Sequence, residues 1–139
     1  VYKRQTVYFQ TYENNTKMIS EITSKNPDIF LERELEIRKK NKLPPFQRFI
    51  SLILTGDNEI KLEKEAINFK NFIENKIEGK ILGPVNAPLF RLKRKFRIRF
   101  LIRGLKSMKL QSSLAKIIPK YKFSSGIKLS VDVDPINFN

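Results

Sequence analysis

The stretch RLKRKFRIRF, Arg91 to Phe100, carries six basic side chains in ten positions and, toward its end, an apolar residue at every second place. Ammonium and guanidinium groups at that density suit one kind of chemistry, the neutralisation of a row of phosphates or carboxylates. Other chemistries are thinly provided for. The chain has no Cys and no His, which removes disulfides, thiolate metal sites, the commonest transition-metal ligand and the usual general base. Ser-His-Asp, Cys-His and zinc-hydrolase mechanisms are therefore excluded for this chain. Asp132 and Asp134 in SVDVDP fall on one strand face and could hold Mg²⁺ together with phosphate oxygens. No third carboxylate lies near them in sequence, and pairing with Arg or Lys of a neighbouring strand is the simpler role. Gly83-Pro84 lacks the glycine run and the Lys-Ser/Thr of a phosphate loop. No residue set reads as catalytic, and no metal site is expected.

The charge is unevenly spread. Of the formal +14, residues 1–78 hold 14 basic and 12 acidic side chains, whereas Gly79 to Val131 hold 14 Lys or Arg and no Asp or Glu. The whole net charge thus belongs to 53 consecutive residues. A surface made only for solubility mixes both signs, so a block of one sign inside a folded domain points to a polyanionic partner. Nucleic acid leads, with an anionic membrane or an acidic peptide behind it. A solvated polar strand face is the plain alternative. No window approaches 18 uncharged apolar residues and the start, VYKRQTVYFQTY, has no apolar core, so neither a membrane span nor a signal peptide is expected and the protein reads as cytoplasmic. The absence of an initial Met suggests a piece of something longer.

These side chains must be positioned by elements that periodicity outlines. Thr6 to Tyr12 alternates like a strand; Asn14, Asn15 and Thr16 offer caps for a short helix through Ser24. DIFLERELEIRKKNK reads as a helix with a basic last turn, its Glu and Arg/Lys residues a solvated face of i,i+4 pairs. Pro44-Pro45 ends it and divides residues 1–43 from 44–139. Then come a strand from Arg48 to Thr55, a turn and cap at Gly56-Asp57-Asn58, a helix from Glu59 to Glu78, a short strand from Lys80 to Leu82, a rigid loop from Gly83 to Pro88, a strand from Lys95 to Arg103, a helix from Ser107 to Tyr121 and a strand from Ile127 to Val133. The order β-α-β-β-α-β predicts an α+β, ferredoxin-like split βαβ fold, an antiparallel sheet with two helices on one face.

In such a sheet Phe96, Ile98, Phe100 and Ile102 turn toward the helices and Lys95, Arg97, Arg99 and Arg103 away, interrupted by Leu101. Same-face neighbours stand roughly 6.5 to 7 Å apart, near the phosphate spacing of an extended single strand. Arg91, Lys93 and Arg94 continue the stripe into the preceding hairpin. Tyr121, Phe123 and Phe90 could stack on bases, but core packing suits each better. The expected binding is backbone-directed, salt-sensitive and indifferent to sequence.

Four separated blocks, QTY at Gln10 to Tyr12, FLERELEIRKKNKLPPF ending at Phe46, ILGPVNAPLFRLKRKFRIRFLIRG from Ile81 and LSVDVDP from Leu129 to Pro135, together resemble the C-terminal end of the bacterial primosomal replication-restart helicases, the PriA family. The resemblance spans nearly the whole chain, leaving out VYKR. It implies that residues 1–43, a strand and two helices, are the end of the second RecA-like helicase lobe, and that residues 44–139 form a C-terminal domain contacting branched and single-stranded DNA. It implies an ATP-driven 3′-to-5′ helicase for the whole protein, with ATP, Mg²⁺ and zinc held elsewhere, and primosome proteins and the replicative helicase as partners. The ATPase motifs and zinc-binding cysteines of that family are missing here, so this chain alone should not hydrolyse ATP or unwind DNA. The resemblance further implies that the start of the last helix, LKSMKLQ, receives the acidic tail of single-stranded DNA-binding protein, SSB. Lys106, Lys109 and Gln111 are the residues concerned, and Ser107 stands where a basic residue is expected. Two other readings remain beside it: a module chiefly for the acidic SSB tail, and an RNA-binding, ribosome-associated domain.

Overall fold

A computed structural model describes residues 3, 5–12, 17–24, 26, 28–106 and 109–136. The chain divides into two compact units, one up to Lys40 and one from Asn41 onward.

The first unit holds helices α1, Lys17–Ile22, and α2, Asp28–Lys40. Asp28 in the first turn of α2 and Arg38, Lys39 and Lys40 in its last match the helix dipole. The Asn26 side-chain oxygen accepts the Asp28 N–H at 3.1 Å, a turn two residues ahead of the helix start. Arg38 pairs with Glu34 at 2.7 Å along the helix, and Arg33 reaches Glu21 of α1 at 2.8 Å. The strand expected over Thr6 to Tyr12 does not form. A strand needs a hydrogen-bonded neighbour, and the sheet among the described residues is built from the second unit alone. The caps expected at Asn14, Asn15 and Thr16 lie outside the described residues.

The second unit is α+β. Strands β1, Gln47–Gly56, β2, Lys80–Leu92, β3, Lys95–Leu105, and β4, Lys128–Val133, form one antiparallel sheet in the order β2-β3-β1-β4. Helix α3, Glu59–Glu74, links β1 to β2, and α4, Leu110–Ile117, followed by a 3-10 turn at Ile118–Lys120, links β3 to β4. Asn58 caps α3 by accepting the Lys61 N–H at 2.9 Å. Alternate residues of the two interior strands, Ile50, Leu52 and Leu54 of β1 and Ile98, Phe100 and Ile102 of β3, are buried in one cluster with Leu62, Ala66, Phe69 and Ile73 of α3 and Leu110 and Leu114 of α4. The α3 set follows the 3.6-residue period, and each Leu, Ile or Phe so buried stabilises by about 1.5–3 kcal/mol before entropy is charged against it. Ile60 and Ile67, off that stripe, are exposed.

Three expected boundaries are corrected. The helix expected through Glu78 ends at Glu74, with Asn75 as its C-cap. The loop Gly83 to Pro88 is absorbed into β2, which runs thirteen residues with irregularities between Leu82 and Val85 and between Asn86 and Arg91. As an edge strand β2 accommodates Pro84 and Pro88, whose missing N–H groups would break an interior ladder. Helix α4 stops at Ile117 because Pro119 cannot continue it, and the chain tightens into the 3-10 turn.

The loop after that turn is fastened to α3. Buried Glu65 accepts hydrogen bonds from the Ser124 N–H at 3.3 Å and hydroxyl at 2.7 Å, and Lys61 donates to the Ser125 carbonyl at 2.8 Å. Tyr121 packs edge-on against Phe69, with ring centroids 5.1 Å apart. Burial, a hydrogen bond to Glu65 and the Glu65 charge push its hydroxyl up to about 12.

Candidate functional site

Strand β3 places the basic side chains. From Arg97 onward its residues alternate in burial, with Ile98, Phe100 and Ile102 inward and Arg97, Arg99, Leu101 and Arg103, like Lys95 at the strand start, partly exposed. The register extends the outward face across the sheet: Lys80 stands opposite Arg103, Leu82 opposite Leu101 and Val85 opposite Arg99 on β2, while Phe49, Ser51, Ile53 and Thr55 of β1 lie opposite Arg103, Leu101, Arg99 and Arg97. The row of cations is therefore flanked on the β2 side by Lys80 and two aliphatic residues, and on the β1 side by a small or apolar column.

The acid-free span of sequence is not acid-free in space. Lys95 pairs with Asp57 at 3.8 Å, and Asp132 of β4 stands opposite Ser51, two strands or about 10 Å from Leu101. Arg97 additionally donates to the Leu89 carbonyl at 3.5 Å, a contact that steadies the guanidinium along β2.

The hairpin alters the expected stripe. Arg91 pairs with Phe96 and stands over its ring at 5.4 Å, so it belongs to the Phe96 side of the sheet and leaves the row. The unpaired Gly83-Pro84 bulge and the second irregularity before Arg91 shift the alternation that a simple count along β2 assumes. Lys93 and Arg94 form the two-residue turn, both with positive φ, 50° and 65°. They sit at the tip beside Lys95 without strand alternation. Phe90 packs on Phe96 at 5.4 Å, and Tyr121 and Phe123 pack on Phe69, so all three aromatics serve the core side.

A second cluster gathers where β1 and β4 meet α4. Lys109 and Gln111 line a pocket of about 350 Å³ with Arg48, Ser112 and Ala115. Lys106 lines a neighbouring pocket with Arg48, Gln47 and Asp134. Gln111 and Ala115 also border a mostly apolar cleft of about 300 Å³ floored by Leu114, Ile118, Val131 and Val133. Ser107 lies outside the described residues. Sequence reasoning missed Arg48, the residue common to the first two pockets. Its guanidinium pairs with Asp134 at 3.2 Å, and Asp134 is itself fixed to Phe49, accepting its N–H at 3.3 Å and donating to its carbonyl at 2.8 Å. Of the two SVDVDP carboxylates expected to pair with a neighbouring strand, Asp134 does so. The β1–β3 pairing, in which Arg48 stands opposite Gly104, brings Arg48 beside residues some sixty positions later, and no spacing in the sequence carries that signal.

Among the described residues no three His, Cys, Asp or Glu gather as a metal site, and no helix is long and apolar enough to cross a membrane. Cationic side chains thus gather in two places among the described residues, the outward row of β3 and the pockets around Arg48.

Comparison with known proteins agrees with the resemblance drawn from the four blocks. The chain is 36% identical over 132 residues to "Replication restart protein PriA" of Rickettsia conorii, 37% over 132 residues to that of Rickettsia typhi and 27% over 135 residues to that of Borreliella burgdorferi. These alignments cover 95%, 95% and 94% of this chain but 20% of each relative, so the chain spans about one fifth of the length of the relatives it matches. Residues 39–136 match the family described as "Primosomal protein N C-terminal domain", and the chain belongs to that family.

Proposed function

We propose that this chain is the C-terminal part of a replication-restart protein and that its second unit holds DNA against the sheet face turned away from α3 and α4. One observation carries the reading: Lys95, Arg97, Arg99 and Arg103 stand in a row on one face of an interior strand, within 53 residues that hold fourteen cations and no anion. Interior position matters because both neighbours hydrogen-bond the strand and fix the spacing of its charges. Lys93 and Arg94 extend the positive field at the hairpin tip. Such a row grips phosphates without reading sequence.

On this reading the whole protein is an ATP-dependent 3′-to-5′ DNA helicase that assembles the primosome at stalled forks in the bacterial cytoplasm. ATP, Mg²⁺ and zinc are bound outside these 139 residues. The first unit is the end of the second RecA-like lobe, and the second unit, ordered β4-β1-β3-β2 with both helices contributing to one core, is a ferredoxin-like split βαβ domain. The names of the relatives support the replication-restart role.

The test is direct. Reversing Arg97→Glu and Arg99→Glu lowers affinity alike for unrelated DNA sequences and flattens the plot of log affinity against log salt by about 0.7 per lost phosphate contact on a single strand. Unchanged affinity and slope would sink the proposal.

A second reading is favoured by the pockets around Arg48. Cations at Arg48, Lys106 and Lys109 and the Gln111 amide stand beside an apolar cleft, a combination that suits an acidic peptide with apolar side chains, such as the SSB tail. The two readings use different surfaces and are compatible.

A further inference from the structure

The row on β3 has one gap, at Leu101, and the sheet is indented there. The irregularity between Leu82 and Val85 leaves Gly83 and Pro84 without partners on β3. Gly83 has φ +101°, and a Cβ on it would lie 2.7 Å from the Arg99 carbonyl, so only glycine lets β2 come this close. The result is a mostly apolar groove of about 290 Å³ lined by Leu82, Gly83, Val85, Arg99 and Leu101. Leu82 and Val85, 38% and 52% exposed, form its outer wall.

A ligand that fits both features carries negative charges at the spacing of the row and a flat apolar group between them. A single nucleic-acid strand does so, with phosphates along Arg97, Arg99 and Arg103 and one ring in the gap. A duplex keeps its rings stacked inside and offers the groove only backbone. Aliphatic side chains pack on a ring face, and the Arg99 guanidinium at the groove's edge adds a planar, cationic partner for stacking.

We propose that this groove seats one unpaired nucleobase, making the sheet face a reader of single-stranded character as well as of charge. This rests on the DNA-binding reading above. The test measures, by fluorescence anisotropy with the 139-residue chain, affinity for an oligothymidylate, an abasic strand of equal length and a duplex. The wild type is expected to favour the oligothymidylate over the abasic strand by about tenfold. Val85→Ser and, separately, Leu101→Asn bring the oligothymidylate down to the abasic level while leaving abasic affinity unchanged, which also reports that each variant is folded. Equal wild-type affinity for the two strands, or a preference that survives both substitutions, overturns the groove while leaving the phosphate row standing. No binding to any of the three removes both proposals. If an alternating Asp-Leu peptide displaces the oligothymidylate from the wild type but not from Val85→Ser, the groove is a peptide site and the nucleobase is wrong.

Discussion

Asp134 shows how one side chain sets the chemistry of another. Its φ of +53° turns the chain at the end of β4, where its carboxylate meets both the Phe49 N–H and the Arg48 guanidinium. An Arg held in this way presents its remaining N–H donors in a fixed direction. Arg48→Ala is therefore expected to weaken a titrated acidic, apolar-ended peptide by about tenfold, the scale of one charge-assisted hydrogen bond, and Lys109→Ala and Gln111→Ala to weaken it as well. DNA affinity measured in parallel should change little for Gln111→Ala. Peptide affinity indifferent to all three variants removes the second reading. Lys109 and Gln111 could be nominated because the family resemblance implicates the start of the last helix. Arg48 could not, because its place among them depends on which strands pair.

At the scale of elements, the β2–β3 hairpin is built against local preference. A two-residue turn with positive φ at both positions calls for Asn-Gly, yet Lys93-Arg94 occupies it. Each non-glycine residue in that region costs on the order of 1 kcal/mol or more. Lys93→Asn combined with Arg94→Gly should raise Tm by about 4–8 °C and reduce affinity for DNA; circular dichroism melting reads the first, and a Tm that stays or falls contradicts the account of the turn. Alternation made β3 legible residue by residue, including its inward Phe96, Ile98, Phe100 and Ile102. It failed on β2, where two irregularities shift the faces and place Arg91 beside Phe96. It failed also at Thr6 to Tyr12, whose strand-like pattern states a preference that a neighbour must satisfy. The length of the last helix was misjudged because apolar spacing continues past Pro119 while the hydrogen-bond ladder does not.

At the scale of the molecule, the two units are unequal. The buried apolar core runs from Ile50 to Leu114 with partly buried partners as far as Val133, all within the second unit. The first exposes Val7, Tyr8, Phe9, Ile29, Leu31 and Leu35, and α2 has no buried residue. Isolated helices of six and thirteen residues are marginal in water. A chain beginning at Asn41 should melt cooperatively within a few degrees of the 139-residue chain, and residues 1–40 alone should give no cooperative transition; a large loss of Tm on removing the first unit would show that the second depends on it. That α2 ends ahead of Pro44-Pro45 was legible, because the pair cannot extend a helix. The packing deficit of the first unit was not, since composition does not reveal which apolar residues lack neighbours.

The prolines of β2 bear on what happens when many copies meet. Molecules gathered along one long polyanion reach high local concentration, and sheets brought rim to rim tend to zip into continuous ribbons. Pro84 and Pro88 withhold two donors from that rim, and the bulges beside them bend it out of register. A neighbouring strand finds no regular template there, which disfavours the joining of copies through this rim.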